Sequence, residues 1–336
     1  MEGESKMKTN KRVLSVLVLL IIIMIASCTS NDTEESIENI SFVLDWTPNT
    51  NHTGVYVAIA KGYYRDAGLN VKILSPPEAG APAFVANGNA QFGVDFQESL
   101  GIGLTLPEPF PITAVAAIIS HNNSGIISLP EKGIDDFSKL EGKVYASWGV
   151  PAELKVLEQT MADAGGDFSK LRTFDAPAED ALSMISTGLV DAVWVYESWD
   201  VVAADVSGLE YNFIKFAETS PVLDYYTPVI IANDAFLNEH PETARKFIQA
   251  TAAGYEYAIA HPVEAAQILI DAVPELPPEL IFASQEILSL QYASGSESWG
   301  FIDSERWGAF YGWMYEQEII PRPLGSRGFT NEFLLP

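Results

Sequence analysis

Between residues 40 and 216, short runs rich in β-branched and aromatic residues alternate with helix-like stretches, and after about residue 230 the alternation stops. This change of rhythm limits the fold more than any single motif. Residues 40–46, 69–74, 91–96, 112–119, 143–147, 189–196 and 212–216 read as strands, and 55–64, 81–88, 152–164 and 178–187 as helices between them. Such alternation predicts an α/β fold made of βαβ units on largely parallel sheets, covered on both faces. Helices then follow one another over 241–260, 262–273, 278–292 and 304–316, the first three opened by proline, whose missing N–H costs nothing in a first turn. The pattern predicts two α/β lobes. Residues 40–122 would begin lobe I, 123–229 would form lobe II, and the helical 230–336 would complete lobe I.

Composition narrows the functional classes. Hydrophobic residues make up 48% of the 336, enough for a large core. Acids outnumber bases 45 to 19, a net charge of −26 that argues against nucleic-acid binding and against electrostatic attachment to anionic lipid. Cys28 is the single cysteine, so the sequence holds no intrachain disulfide and no cysteine-rich metal site. The four histidines (His52, His121, His240, His261) form no pair at metal-ligand spacing, and no HExxH, GxSxG or phosphate-loop pattern occurs. No metal, cofactor or catalytic group is expected.

The position of Cys28 carries more information than its number. Lys6, Lys8, Lys11 and Arg12 precede an unbroken 14-residue apolar run over 13–26, the pattern of a secretory signal and short for a membrane span. The run ends in Ile25-Ala26-Ser27-Cys28, which resembles a bacterial lipobox. Residues 1–27 therefore read as a lipoprotein signal peptide, with an uncleaved anchor helix as the alternative. Residues 28–39 are polar, acidic and aperiodic, a flexible tether. The chain beyond residue 27 carries 43 acids against 15 bases.

Ligands of open α/β sheets sit outside the carboxyl ends of strands, and four such ends here join aromatic to polar residues. They are Asp45-Trp46 with the turn to His52, Phe96-Gln97-Glu98-Ser99, Trp148-Gly149-Val150-Pro151, and Tyr196-Glu197-Ser198-Trp199. A flat heteroaromatic ligand requires this combination, rings for its faces and amides or carboxylates for its edge. Single positions have plainer readings too. Glu197 opens a helix, where an acid favours the dipole; Asp45 can cap a turn, and each tryptophan can be a core residue.

The segments FVLDWTPNTNH and YVAIAKGYYRDAGLNVKIL resemble the opening of the NMT1/THI5-like, SsuA-related family, and the resemblance continues through NGNAQFGVDFQESL, LEGKVYASWG, GLVDAVWVYES and PETARKFIQATAAGYEYAIAHPVEA to FTNEFL. It implies a type II periplasmic-binding-protein fold with ligand held between two lobes, and service as solute receptor to an ABC permease and ATPase. Ligands of such receptors are thiamine pyrimidine precursors, riboflavin, or sulfonates and nitrate in more distant branches. The family also contains a fungal pyrimidine synthase with a lysine and histidine after its third strand and a cysteine-rich run. Here Asp95, Glu98 and Ser99 stand at the former place and the cysteine-free Tyr225–Ile231 stretch at the latter, so the synthase chemistry lacks its groups. By resemblance, Trp46 and Trp148 would stack on the heterocycle, Glu197 would read an aminopyrimidine edge, and Phe96-Gln97 matches a Tyr-Gln pair of bacterial pyrimidine-precursor receptors.

The sequence thus predicts a lipid-anchored, extracytoplasmic, monomeric receptor for a small heteroaromatic ligand, with Asp45, Trp46, His52, Phe96, Gln97, Trp148, Gly149, Tyr196 and Glu197 at the site. Riboflavin competes with a thiamine pyrimidine precursor as ligand. Sulfonate is weaker, since an acidic cleft repels anions. The anchor is testable directly. Growth with labelled palmitate in a bacterial host should mark the wild-type chain, and Cys28→Ser should abolish the label; a labelled variant would place the attachment elsewhere.

Overall fold

Ten strands of the described residues form two five-stranded sheets. The computed structural model describes residues 37–175, 180–296 and 298–334; the signal peptide, Cys28 and the tether through residue 36 lie outside them. The first sheet has the order β2-β1-β3-β10-β4, from Leu69–Leu74, Glu38–Val43, Phe92–Asp95, Val229–Asn233 and Ile112–Ala117. The second has the order β7-β6-β8-β5-β9, from Arg172–Asp175, Val144–Ser147, Ala192–Tyr196, Ser124–Ser128 and Asn212–Lys215.

Both sheets are mixed: in each, four strands run in one direction and one runs against them. β10 runs antiparallel to β3 and β4, with Ile230 opposite Val94 and Ala116. β5 runs antiparallel to β8 and β9, with Ile126 opposite Trp194 and Ile214. These are the strands that receive the chain after each passage between sheets, and each is fourth in its sheet. Both lie at the expected lobe boundaries, 122/123 and 229/230, and neither is among the expected strands, since neither alternates apolar with polar. Each is buried along its whole length. β7 was also missed; its RTFD is exposed throughout and has no apolar face.

Period-two alternation assigns the two faces of each sheet. Val229 and Ile231 of β10 enter one core cluster, Ile230 and Ala232 another that includes Phe42, Phe247 and Tyr255. On β8, Val193 and Val195 face away from Trp194 in the same manner. The 40–46 strand is shorter than expected and ends at Val43, leaving Asp45 to Pro48 as a turn. The expected 55–64 helix is two helices, Thr53–Ala60 and Tyr63–Asp66, broken at Gly62, whose φ of 79° suits glycine.

Four long C-terminal helices, Pro241–Ala260, Pro262–Ala272, Pro278–Gln291 and Ser304–Glu316, occupy the regions read as helical. No described helix is long and apolar enough to cross a membrane. The first of them packs on the helix Thr53–Ala60 without room for a methyl group. A Cβ on Gly254 would lie 2.0 Å from the Gly54 carbonyl oxygen, and one on Gly54 would lie 2.2 Å from the Tyr255 ring. This contact seats the turn before Thr53, because the Tyr255 hydroxyl donates to the Asn51 carbonyl at 2.6 Å and the Tyr292 hydroxyl to that of Thr50 at 2.6 Å. Overpacking of this kind costs about 1–3 kcal/mol. Gly254→Ala should therefore lower the urea midpoint by that equivalent, and an unchanged midpoint would show that the two helices do not touch.

Candidate functional site

The turn after β1 is built by local capping. The Asn49 side chain accepts from the Asn51 amide at 2.8 Å, and the Asn49 backbone N–H donates to His52 Nδ1 at 3.2 Å. His52 Nδ1 being an acceptor, Nε2 carries the hydrogen and donates to Asp45 Oδ1 at 2.7 Å. His52 is fully buried. It holds Asp45 in place and does not itself face ligand space.

Asp45 and Trp46 open onto a cavity of about 820 Å³ between the sheets, which Phe96, Trp148 and Tyr196 also line. Aromatic pairs meet across it: Phe96 with Tyr196 at 6.4 Å and 22°, and Trp46 with Trp199 edge-on at 6.4 Å and 85°. Trp46 and Trp148 are the exposed tryptophans, at 42% and 39%. Trp148 is fixed by Glu153, which accepts from the Trp148 amide at 3.0 Å, the Tyr145 hydroxyl at 2.6 Å and the Ser147 hydroxyl at 3.1 Å. Gly149 does not line the cavity; with φ of 77° it turns the chain, and its amide donates to Ser147 Oγ at 3.0 Å.

Besides His52 and Gly149, two further expected site residues stand off the cavity lining. Gln97 is fully buried inside the first lobe, accepting from the Tyr226 amide at 2.8 Å and donating to the Trp307 carbonyl at 3.2 Å. Glu197 lies outside the main cavity, beside a separate space of about 110 Å³. It pairs with Lys215 at 2.6 Å and accepts from Gln291 Nε2 at 2.8 Å. The reason is strand geometry: consecutive side chains diverge, so Tyr196 facing inward sends Glu197 outward. Asn123 Nδ2 then reaches both Gln291 Oε1 at 2.8 Å and Ser198 Oγ at 3.1 Å. Ser284 Oγ donates to the Ser198 carbonyl. Glu197 therefore ties the second lobe to the helix Pro278–Gln291, and it is not placed to read a ligand in the cavity.

A π-helical turn over Glu197–Val201 returns the chain inward, adding Ser198, Trp199 and Asp200 to the lining. Glu98, on the first turn of helix Gln97–Thr105, lines the cavity as well. Its Oε2 is buried with no hydrogen-bond partner, as is Oδ2 of the neighbouring Asp95. Burial pushes Glu98 up to about 7 and Asp200 up to about 6. Burial also raises Asp95, with the Glu98 and Asp45 charges adding to it. The lining also has an apolar part, which includes Ile102, Leu106, Phe110, Val156 and Phe310. Sequence spacing could have found Trp194, two residues before Tyr196 on one strand face; Phe310 had no such signal. No cluster of metal-ligating side chains occurs among the described residues.

The raised Glu98 has a measurable consequence. The folded carboxyl keeps its proton to a higher pH than the unfolded one, so the folded state binds more protons between about 4.5 and 7. Stability then falls as pH rises through that window. Glu98→Gln should flatten the decline and be more stable than wild type by about 1–2 kcal/mol near pH 8, yet equal to it near pH 4. Parallel pH profiles in urea titrations would show that Glu98 is not desolvated.

Among known proteins, the chain is 27% identical over 320 residues to a formylaminopyrimidine-binding protein of Halalkalibacterium halodurans, covering 92% of this chain and 95% of that one. It is 26% identical to a 4-amino-5-hydroxymethyl-2-methylpyrimidine phosphate synthase of Saccharomyces cerevisiae over 312 residues, 89% and 88% of the two chains. Among solved structures, the alkanesulfonate-binding protein of Xanthomonas axonopodis pv. citri superposes with a TM-score of 0.67 at 12% identity, covering 87% of this chain and 98% of that one. The periplasmic nitrate-binding protein of Synechocystis gives 0.66 at 13%, covering 89% and 87%. These likenesses establish the type II periplasmic-binding-protein fold, two α/β lobes with a cleft between them. The sequence match that describes the family as NMT1/THI5 like runs over residues 49–265, from the capped turn beyond the second sheet, and the chain belongs to that family.

Proposed function

We propose that the protein is an extracytoplasmic solute receptor of an ABC importer, anchored by lipid at Cys28, that captures a thiamine pyrimidine precursor as a monomer and delivers it unchanged to a permease and its ATPase. The observation that carries this reading is the cavity. It places exposed Trp46 and Trp148, with Phe96 and Tyr196, among carboxylates of Asp45, Glu98 and Asp200. Rings supply stacking for a flat heterocycle, and carboxylates accept from an exocyclic amine. The formylaminopyrimidine-binding relative supports the same ligand class. No Lys, Arg or His is among the described lining residues, which disfavours sulfonate despite the shared fold.

The binding step follows from the division of the lining. Asp45, Trp46, Phe96 and Glu98 belong to the first lobe, Trp148, Tyr196, Trp199 and Asp200 to the second. A ligand touching both groups stabilises the state in which they stand together, and closure shifts with its occupancy. The cavity's 820 Å³ keeps riboflavin as a second reading, because a three-ring system would span more of it than one pyrimidine.

Calorimetry of the chain from residue 28 onward with formylaminopyrimidine, hydroxymethylpyrimidine, riboflavin and taurine decides between them. An aminopyrimidine should bind, taurine should give no heat, and bound ligand should be recovered intact after long incubation. Trp46→Ala should weaken binding about tenfold. Binding confined to taurine would end the proposal, and turnover of the ligand would move the protein to the enzyme class.

A further inference from the structure

The cavity is unbalanced in charge. Its described lining contains Asp45, Glu98, Glu153, Asp180 and Asp200, and no basic side chain. Four of these carboxylates have protein donors: Glu153 through Tyr145, Ser147 and Trp148, Asp45 through His52, Asp180 through the Ser183 amide at 3.0 Å, and Asp200 through the Tyr196 amide at 3.1 Å. Glu98 is different, since its Oε2 is buried and unpartnered. Directly behind it in the chain stands Asp95, 3% exposed, with Oδ2 also unpartnered. Groups close enough to feel Glu98 are Asp95 and the hydroxyls of Tyr196, Tyr225 and Tyr311; Asp45 acts on Asp95 and Tyr196 from the first turn. None of them is a cation.

We infer that the ligand of this cavity is a cation, a nitrogen heterocycle carrying a full positive charge, seated beside Glu98 and Asp45 with its faces toward Trp46, Phe96, Trp148 and Tyr196. The inference rests on the proposed receptor function and narrows it from a neutral aminopyrimidine to a charged one, protonated or quaternary. Two independent features of the site favour it. A buried carboxylate oxygen without a donor is unfavourable, and a positively charged donor relieves it more than a neutral one does. Aromatic faces attract cations through their quadrupoles, a contact that strengthens on desolvation. The apolar wall of Ile102, Leu106, Phe110 and Phe310 leaves room for a second, uncharged part of the ligand. The net charge of the whole chain, −26, adds a long-range field of the same sign preference.

Glu98→Gln separates this inference from its rival. A neutral ligand would use Glu98 in its protonated form, which an amide imitates; a cation needs the carboxylate. Calorimetry near pH 8 would compare thiamine, an aminopyrimidine joined to a permanently charged ring, with neutral 4-amino-5-hydroxymethyl-2-methylpyrimidine and with 1-methylnicotinamide, a permanent cation lacking the aminopyrimidine. The expected result is thiamine at least tenfold tighter than the neutral pyrimidine near pH 8, and a loss of about tenfold or more for thiamine in Glu98→Gln. The neutral pyrimidine or riboflavin binding as tightly as thiamine, with affinity kept in Glu98→Gln, overturns the inference and leaves the receptor function standing. Binding of 1-methylnicotinamide as tightly as thiamine upholds the cation and removes the pyrimidine. Thermal melts check the fold of the variant, and Asp45→Asn supplies the same contrast where Glu98→Gln does not fold.

Discussion

Everything at the site depends on two passages of the chain between sheets, over residues 118–123 and 216–228, and on the antiparallel entry that follows each. Each entry strand leaves the parallel strands beside it undisturbed, so their carboxyl ends open on one cleft. Asp45 and Trp46 follow β1, Phe96 and Glu98 follow β3, Trp148 follows β6, and the inward turn follows β8. The passages are also bonded to one another. Asn122 donates through its amide to Asp224 at 3.0 Å and through Nδ2 to the Leu223 carbonyl at 2.8 Å, and Arg306 spans both through Asp224 and the Ser120 carbonyl. Two tied segments define an axis, and rotation about it changes the distance between Trp46 and Trp199 more than any distance within a lobe.

Glu197 shows how a residue at a strand end serves that geometry without touching a ligand. Its bonds to Lys215 and Gln291 fix the outer side of the same chain segment whose inner side presents Tyr196, Ser198 and Trp199. The helix Pro278–Gln291 grips this segment from the first lobe while Thr50 of the cavity turn bonds Ser284 of that helix at 2.5 Å. A single helix therefore contacts a wall of each lobe. Support from outside lets the inner residues be large and partly exposed, as Trp46 and Trp148 are, without losing their orientation.

Much of this was legible in the sequence where pattern and physics coincide. Proline at a first turn and long amphipathic runs marked the C-terminal helices, and four strand ends marked the cavity walls. Strands β5 and β10 were illegible because a strand buried on both faces has no alternation, and five residues such as VIIAN can equally be a helix turn. Side-chain direction was illegible for a related reason. Asp45 and Glu98 enter the cavity while Glu197 leaves it, and only the register at β8 and the π turn after it decide that. The direction of Gln97 is illegible for the same reason: its partners, Tyr226 and Trp307, are more than a hundred residues distant.

The comparison with sulfonate and nitrate receptors turns on side chains, since the backbone is shared at TM-scores of 0.67 and 0.66 with at most 13% identity. A fold that aims strand ends at one cleft fixes where recognition occurs and leaves its sign open. In this chain the sign is set by carboxylates held in different ways. Asp45 is oriented by a buried histidine, Glu153 is saturated by three donors and serves Trp148, and Glu98 is left with an oxygen that no protein group satisfies. A site evolved for an anion would reverse the first and fill the last with a donor. An ionised, unsatisfied carboxylate under aromatic cover is unfavourable for the empty protein, which keeps its proton to a higher pH, and a ligand bringing the complementary group relieves the same cost. The empty state's instability and the ligand's selectivity are thus the same interaction seen from its two sides.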